Sequence, residues 1–164
     1  MIFVILLNMK DCIFCDFKDK EVVIYKDEKC FAAVSLNPIN KYHVMIIPKD
    51  HYESFIDLPD DLASHIFLIA KKISAAVRKA CNPEAIHHIS DDDIHKQGYN
   101  LVSHYKFHII PRFKDDKVQI EWNRYDLSLE ERIRIAKDIK DNLREPISSA
   151  DSKIPSRNRD KIFI

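Results

Sequence analysis

The chain has 164 residues, 46% hydrophobic and 32% charged, which is the balance of a soluble domain long enough to build its own core. Lys plus Arg and Asp plus Glu number 26 each, so no bulk charge draws the chain to nucleic acid or to an anionic membrane, and neither is expected as a partner. Gly98 is the only glycine, which excludes a glycine-rich phosphate loop.

The first seven residues, MIFVILL, are apolar. A membrane span needs about 20 such residues. A secretory signal needs basic residues before the apolar run and a small-residue cleavage site after it, and the sequence offers neither. Residues 1–10 are therefore read as an N-terminal extension, with Met9 as a second candidate start. Strands are predicted over 22–27 (VVIYKD) and 30–36 (CFAAVSL), joined by a short polar turn. NPINKY is a loop, and HVMIIP (43–48) is apolar enough for a buried central strand.

A helix is predicted from Asp60 to Ala80, with Leu62, Ile66, Ile69, Ile73 and Val77 along one face. Asp60 and Asp61 suit its first turn, Arg78 and Lys79 its last, and Pro83 blocks its continuation. A short strand (85–90), a polar loop (91–100) and the strand LVSHYKFHII (101–110) follow, with a further strand candidate at 117–122. Ser128 and Glu131 form a capping box opening a second helix, which carries Leu129, Ile133, Ala136, Ile139 and Leu143 on one face. Residues 145–164 read as a flexible tail. The sum is an α+β domain over 11–143, with a mostly antiparallel sheet of about five strands and two helices.

Cys12 and Cys15 form C-x-x-C, two soft ligands that one turn can present to one ion. His51 and His104 are candidates to complete a Cys2His2 zinc site. Redox use of the pair needs a strand-to-helix junction of a βαβ unit, and the pattern has none. Cys30 and Cys81 stand in apolar contexts and are read as buried core thiols. This cysteine usage fits a cytoplasmic setting, or a nuclear one. In the strand 101–110, alternation puts His104, Lys106 and His108 on one face and Tyr105, Phe107 and Ile109 on the other. The polar face is either solvated or a site, because three such groups side by side in a core are costly. His43 begins another apolar strand and can join them, whereas His87 and His88 face opposite ways and read as surface or structural residues.

Three ordered blocks, DCIFCDF (11–17), NPINKYHVMIIPKDHYESFIDLP (37–59) and HYKFHIIPR (104–112), resemble the histidine-triad (HIT) superfamily, specifically its zinc-containing nucleotide-binding branch. The resemblance implies Cys12, Cys15, His51 and His104 as zinc ligands. It implies hydrolysis or transfer at a nucleotide α-phosphate, with the middle triad residue as nucleophile and His108 and His43 around the phosphate. It places Asn100, Ser35 and Leu36 among the nucleotide-binding positions, and it implies a homodimer through the first long helix and an edge strand.

The middle triad position is Lys106. Ser35 stands for the family's ribose-holding acid, Ala33 for its aromatic residue and Leu36 for its isoleucine. Tyr42 replaces the K-G-H glycine, Tyr99 and Asn100 replace Gly-Gln, and Asp91, Asp92 and Asp93 fall in a loop where acids repel phosphate unless they turn to solvent. A free lysine with a pKa of about 10.4 is the amine in roughly one molecule in 2,500 at pH 7, about 4.6 kcal/mol against nucleophilic use. Two readings follow: a degenerate member with weak or no hydrolysis that still binds a nucleotide or other phosphate, or an active one using Lys106 or His108. Nucleic-acid binding through scattered basic residues is a weaker third.

Overall fold

The structure, a computed structural model, describes residues 12–93, 96, 98, 100–118 and 125–143. They fall into two compact units, one ending at Val118 and one after it. In the first, strands β1 (Val23–Lys26), β2 (Cys30–Val34), β3 (Val44–Pro48), β4 (Ala85–Ser90) and β5 (Phe107–Arg112) form one sheet in the order β1-β2-β3-β5-β4, antiparallel at every pairing. Helix α1 (Asp60–Cys81) connects β3 to β4.

The sheet is buried on two faces. On one, α1 sets down the predicted stripe of Leu62, Ile66, Ile69, Ile73 and Val77 against Ile46, Tyr105, Phe107 and Ile109. On the other, Phe31, Ala33, Met45 and Ile47 pack with Cys12 and Phe14. This explains why β2 and β3 read as continuous apolar runs: both lie inside the sheet and are covered on both sides. The helix ends at Asn82, whose left-handed φ of 43° closes its last turn just before Pro83. No helix among the described residues is long and apolar enough to cross a membrane.

Several expectations are corrected. The strongest predicted strand, 101–110, is a strand only from Phe107. Residues 101–106 are irregular because their backbone finds other partners: the Tyr105 N–H donates to the Tyr52 carbonyl, and the Lys106 side chain takes the carbonyls of Val102 and His104. The alternation survives the loss of the ladder. Tyr105 and Phe107 still turn into the core beneath α1, and Lys106 and His108 to the opposite side. Strand β2 stops at Val34, two residues short of the predicted end. Cys30 is fully buried as expected, but Cys81 is only partly so, its thiol donating to the Val77 carbonyl.

The strand candidate at 117–122 lies mostly outside the described residues, and Lys117 and Val118 are not in a strand. The N-terminal extension and the 145–164 tail also lie outside them. In the second unit, α2 (Leu129–Asn142) opens with the predicted capping box. Ser128 Oγ accepts from the Glu131 N–H at 3.2 Å, and the Glu131 carboxylate accepts from the Ser128 N–H at 2.8 Å.

Candidate functional site

Two polar centres lie on the side of the sheet away from α1. The first gathers the four predicted ligands. Cys12 and Cys15 sit on a tight turn in which the N–H groups of Cys15 and Asp16 donate to the Cys12 carbonyl at 3.1 and 3.3 Å. His51 follows β3, and His104 stands in the irregular segment before β5. Cys12 Sγ is 3.3 Å from His104 Nδ1, Cys15 Sγ is 3.3 Å from His51 Nδ1 and 3.6 Å from His104 Nδ1, and all four donor atoms lie within 4.8 Å of one another.

A tetrahedral ion about 2.0–2.3 Å from each ligand holds its ligands about 3.3–3.8 Å apart, so the spacing fits. The outer contacts fit as well. His104 Nε2 lies 3.0 Å from the Pro48 carbonyl, to which it donates, leaving Nδ1 bare toward the two sulfurs. The His51 and His104 rings meet edge to face at 4.9 Å. A second trio, Asp27, Cys30 and His65, is equally close, but its carboxylate is already occupied. Asp27 accepts from the Tyr25 hydroxyl at 2.6 Å and from the N–H groups of Lys29 and Cys30 at 2.8 Å, and faces His65 Nε2 at 2.6 Å, which makes it the knot of the β1–β2 turn.

The second centre is a histidine pair. His43, 1% exposed, accepts the Ile39 N–H on Nδ1 at 3.1 Å, and its Nε2 lies 2.9 Å from His108 Nδ1. The backbone donor fixes the direction of the chain: neutral His43 carries its proton on Nε2 and gives it to His108 Nδ1. Neutral His108 then holds its own proton on Nε2, as a donor rather than a lone pair. Burial pushes both rings down to about 4; His108 adds to the effect on His43, and Lys106 to that on His108.

The loop that supplies the Ile39 N–H is itself anchored. Asn40 Nδ2 donates to the Pro111 carbonyl at 3.1 Å and to Asp116 at 3.0 Å, while Arg112 holds Asp116 through Nε and Nη2 at 2.8 Å each. Sequence reading singled out neither Asn40 nor Asp116. The one available signal was Asp116 standing four residues after the arginine of the Pro-Arg pair.

Both rings ionise near 6.5 when unfolded and near 4 in the fold. Between those values the unfolded chain binds protons that the folded one does not, so stability falls as pH drops through that window. Urea midpoints measured from pH 7 to pH 4 are expected to show this slope, and His108→Asn is expected to flatten it relative to the unsubstituted protein. An unchanged slope in His108→Asn would contradict the assignment.

Lys106 lies between the two centres. Its ammonium has three acceptors for three protons: Asn100 Oδ1 in a short contact, the Val102 carbonyl at 3.1 Å and the His104 carbonyl at 3.3 Å. The Phe14 ring lies 5.5 Å from it. Burial pushes it down to about 8, opposed by Asp91 and then by Cys12. Of the three loop acids, Asp91 is the one felt by Lys106. Asp92 accepts the Phe55 N–H at 2.8 Å, and Asp93 accepts the N–H groups of Gly98 and Asn100 at 2.7 and 3.4 Å, so both meet backbone N–H groups, Asp92 across 37 residues of chain and Asp93 within its own loop.

Tyr42 takes φ 64°, the left-handed region where glycine is at ease and a bulky side chain is not. Tyr99 lies outside the described residues. Lys106, His43 and His108 form the polar end of a cavity of about 560 Å3, whose remaining walls include Ser35, Leu36, Ile39 and Leu101. Of the predicted nucleotide-binding positions, Ser35 and Leu36 line this cavity, whereas Asn100 is not among its lining residues and its carboxamide oxygen is taken by Lys106.

A family model described as the HIT domain matches residues 17–115. A HIT-like protein of Borreliella burgdorferi, itself uncharacterised, is 35% identical over 112 residues, covering 66% of this chain and 80% of that protein. An adenosine 5'-monophosphoramidase of Candida albicans is 31% identical over 110 residues, covering 64% and 72%. Among solved structures, a HIT-family member from Bacillus subtilis superposes with a TM-score of 0.74 at 27% identity, covering 83% of this chain and 99% of that one.

Proposed function

This chain belongs to the HIT family, whose members include nucleotide hydrolases, and on that premise we propose that it is a zinc-holding, phosphate-binding member in which hydrolysis is weakened or lost through Lys106. The observation that carries the reading is the triple engagement of the Lys106 ammonium. A nucleophile needs a free lone pair. Here all three N–H groups are engaged, and losing one proton leaves an acceptor unmet.

Cys12, Cys15, His51 and His104 would hold the zinc, which would supply a fixed positive centre drawing three chain-distant segments together. The His108 Nε2–H and the Lys106 charge would face the phosphate, with His43 setting the direction of the His108 proton. Ser35 and Leu36 would meet the organic group. We extend the proposal to a cytoplasmic homodimer. It would join through edge strand β4 and the outer side of α1, where Phe67 and Leu68 are 52% and 61% exposed.

The test is hydrolysis of a fluorogenic adenosine phosphoramidate by the zinc-loaded protein, run beside Lys106→His. Turnover at background by the native chain and measurable turnover by Lys106→His is the expected result. Turnover by the native chain would overturn the loss of hydrolysis.

One observation favours the alternative of an active enzyme with an altered nucleophile. At about 8, Lys106 is the free amine in roughly one molecule in ten at pH 7, far more than an unperturbed lysine. That reading requires Lys106→Ala to abolish turnover. Nucleophilic attack by His108 conflicts with the proton on its Nε2.

A further inference from the structure

We propose that the pocket takes phosphate monoesters or amidates whose organic group is apolar and carries no cis-diol, in preference to ribonucleotides. This rests on the reading that the site holds a phosphate, and names what is attached to it.

The polar end of the cavity is small: the His108 N–H, the His43 behind it and the Lys106 charge. Much of the rest of the wall is of another kind. Leu36, Leu101, Ile39 and Ile13 line it while remaining 74%, 90%, 53% and 55% exposed, and Met45 forms part of its buried floor. Four large aliphatic side chains held partly in water around one opening are not explained by the core, which is complete without them. They offer contact area to an apolar group entering the cavity, and a volume of about 560 Å3 is ample for a bicyclic aromatic or a short alkyl chain.

A ribose needs the opposite surface. Its vicinal hydroxyls are read by an acceptor pair, most often a carboxylate, and hydroxyls laid against aliphatic walls lose their water without replacement. Among the described residues lining the cavity there is no buried carboxylate. Asp16 and Asp19 reach its rim, but both are exposed, and Asp16 is paired with Lys18. Half-buried Ser35, with a single hydroxyl, and exposed Lys18 and Asn37 are its other polar lining residues. The site therefore keeps a phosphate-binding end and, among its described lining residues, has no buried carboxylate to hold a ribose cis-diol.

Calorimetry on the zinc-loaded full chain with AMP, 2'-deoxy-AMP, 1-naphthyl phosphate and inorganic phosphate tests this. Naphthyl phosphate is expected to bind about tenfold more tightly than AMP, with AMP and 2'-deoxy-AMP within about twofold of each other. Leu36→Ser is expected to weaken naphthyl phosphate about fivefold and leave inorganic phosphate unchanged. AMP binding more tightly than either its deoxy form or naphthyl phosphate would overturn the inference while leaving the phosphate site standing. Binding of none of the four would overturn both.

Discussion

Removing zinc with a strong chelator is expected to lower the thermal midpoint of the protein by more than about 10 °C, with Cys12→Ser and His104→Ala doing the same without chelator. The magnitude follows from position. Cys12 and His104 are 92 residues apart in sequence and buried together, so an ion between them closes almost the whole of the first unit into a loop. By analogy with a disulfide, such a cross-link is worth about 4–5 kcal/mol in unfolded-state entropy alone. Without the ion, the Nδ1 of a buried imidazole faces thiols in place of a cation. Elemental analysis and a melting curve on the same sample decide it. Metal-free protein that melts at the same temperature as loaded protein would refute a structural zinc.

Lys106→Met is expected to cost about 2–3 kcal/mol of stability and to weaken zinc binding by about ten- to a hundredfold. Methionine keeps most of the aliphatic stem and loses the ammonium, the group that lies over the Phe14 ring. Three acceptors then lose their donor, and one is the carbonyl of His104, a proposed metal ligand. On this expectation the lysine would act on the proposed metal centre through the backbone, as a strap on the segment that carries His104. Urea denaturation and competition with a chromophoric chelator read the two effects separately. If both quantities match those of the unsubstituted protein, Lys106 is not a strap, and its engagement no longer counts against nucleophilic use.

Much of this was legible in the sequence because it depended on periodicity or on spacing. The stripe from Leu62 to Val77 predicted which side of α1 would be buried, and the capping box at Ser128 predicted where α2 begins. The four metal-ligand candidates were identified by residue type and by resemblance, and the fold brings them together. The failures have a common cause. The strand predicted over 101–110 begins only at Phe107, because alternation does not by itself imply a ladder. Alternation records which side a residue faces, and cannot show that Lys106 has captured the carbonyls a ladder would use. Asn40 and Asp116 were missed for a related reason. Their role lies in a polar contact across 76 residues of chain, which has no local signature. Tyr42 shows the converse: the sequence flagged a misplaced bulky residue, and only the backbone angle of 64° reveals what it strains.

The strand order has a consequence for the order of events during synthesis. Strands β3 and β5 are neighbours at the centre of the sheet, yet β4 and the whole of α1 are made between them. A nascent chain emerges N-terminus first, so β1, β2, β3 and α1 can form while β5 is still unmade. During that interval the inner edge of β3 is an open strand edge, apolar along its full length. His43 has no partner ring and Cys12 no His104. The same late segment brings His104, Lys106 and His108, and with them both polar centres. A ribosome stalled before His104 therefore holds a chain that can form β1, β2, β3 and α1 but neither site, and that is the stage at which it most needs a chaperone.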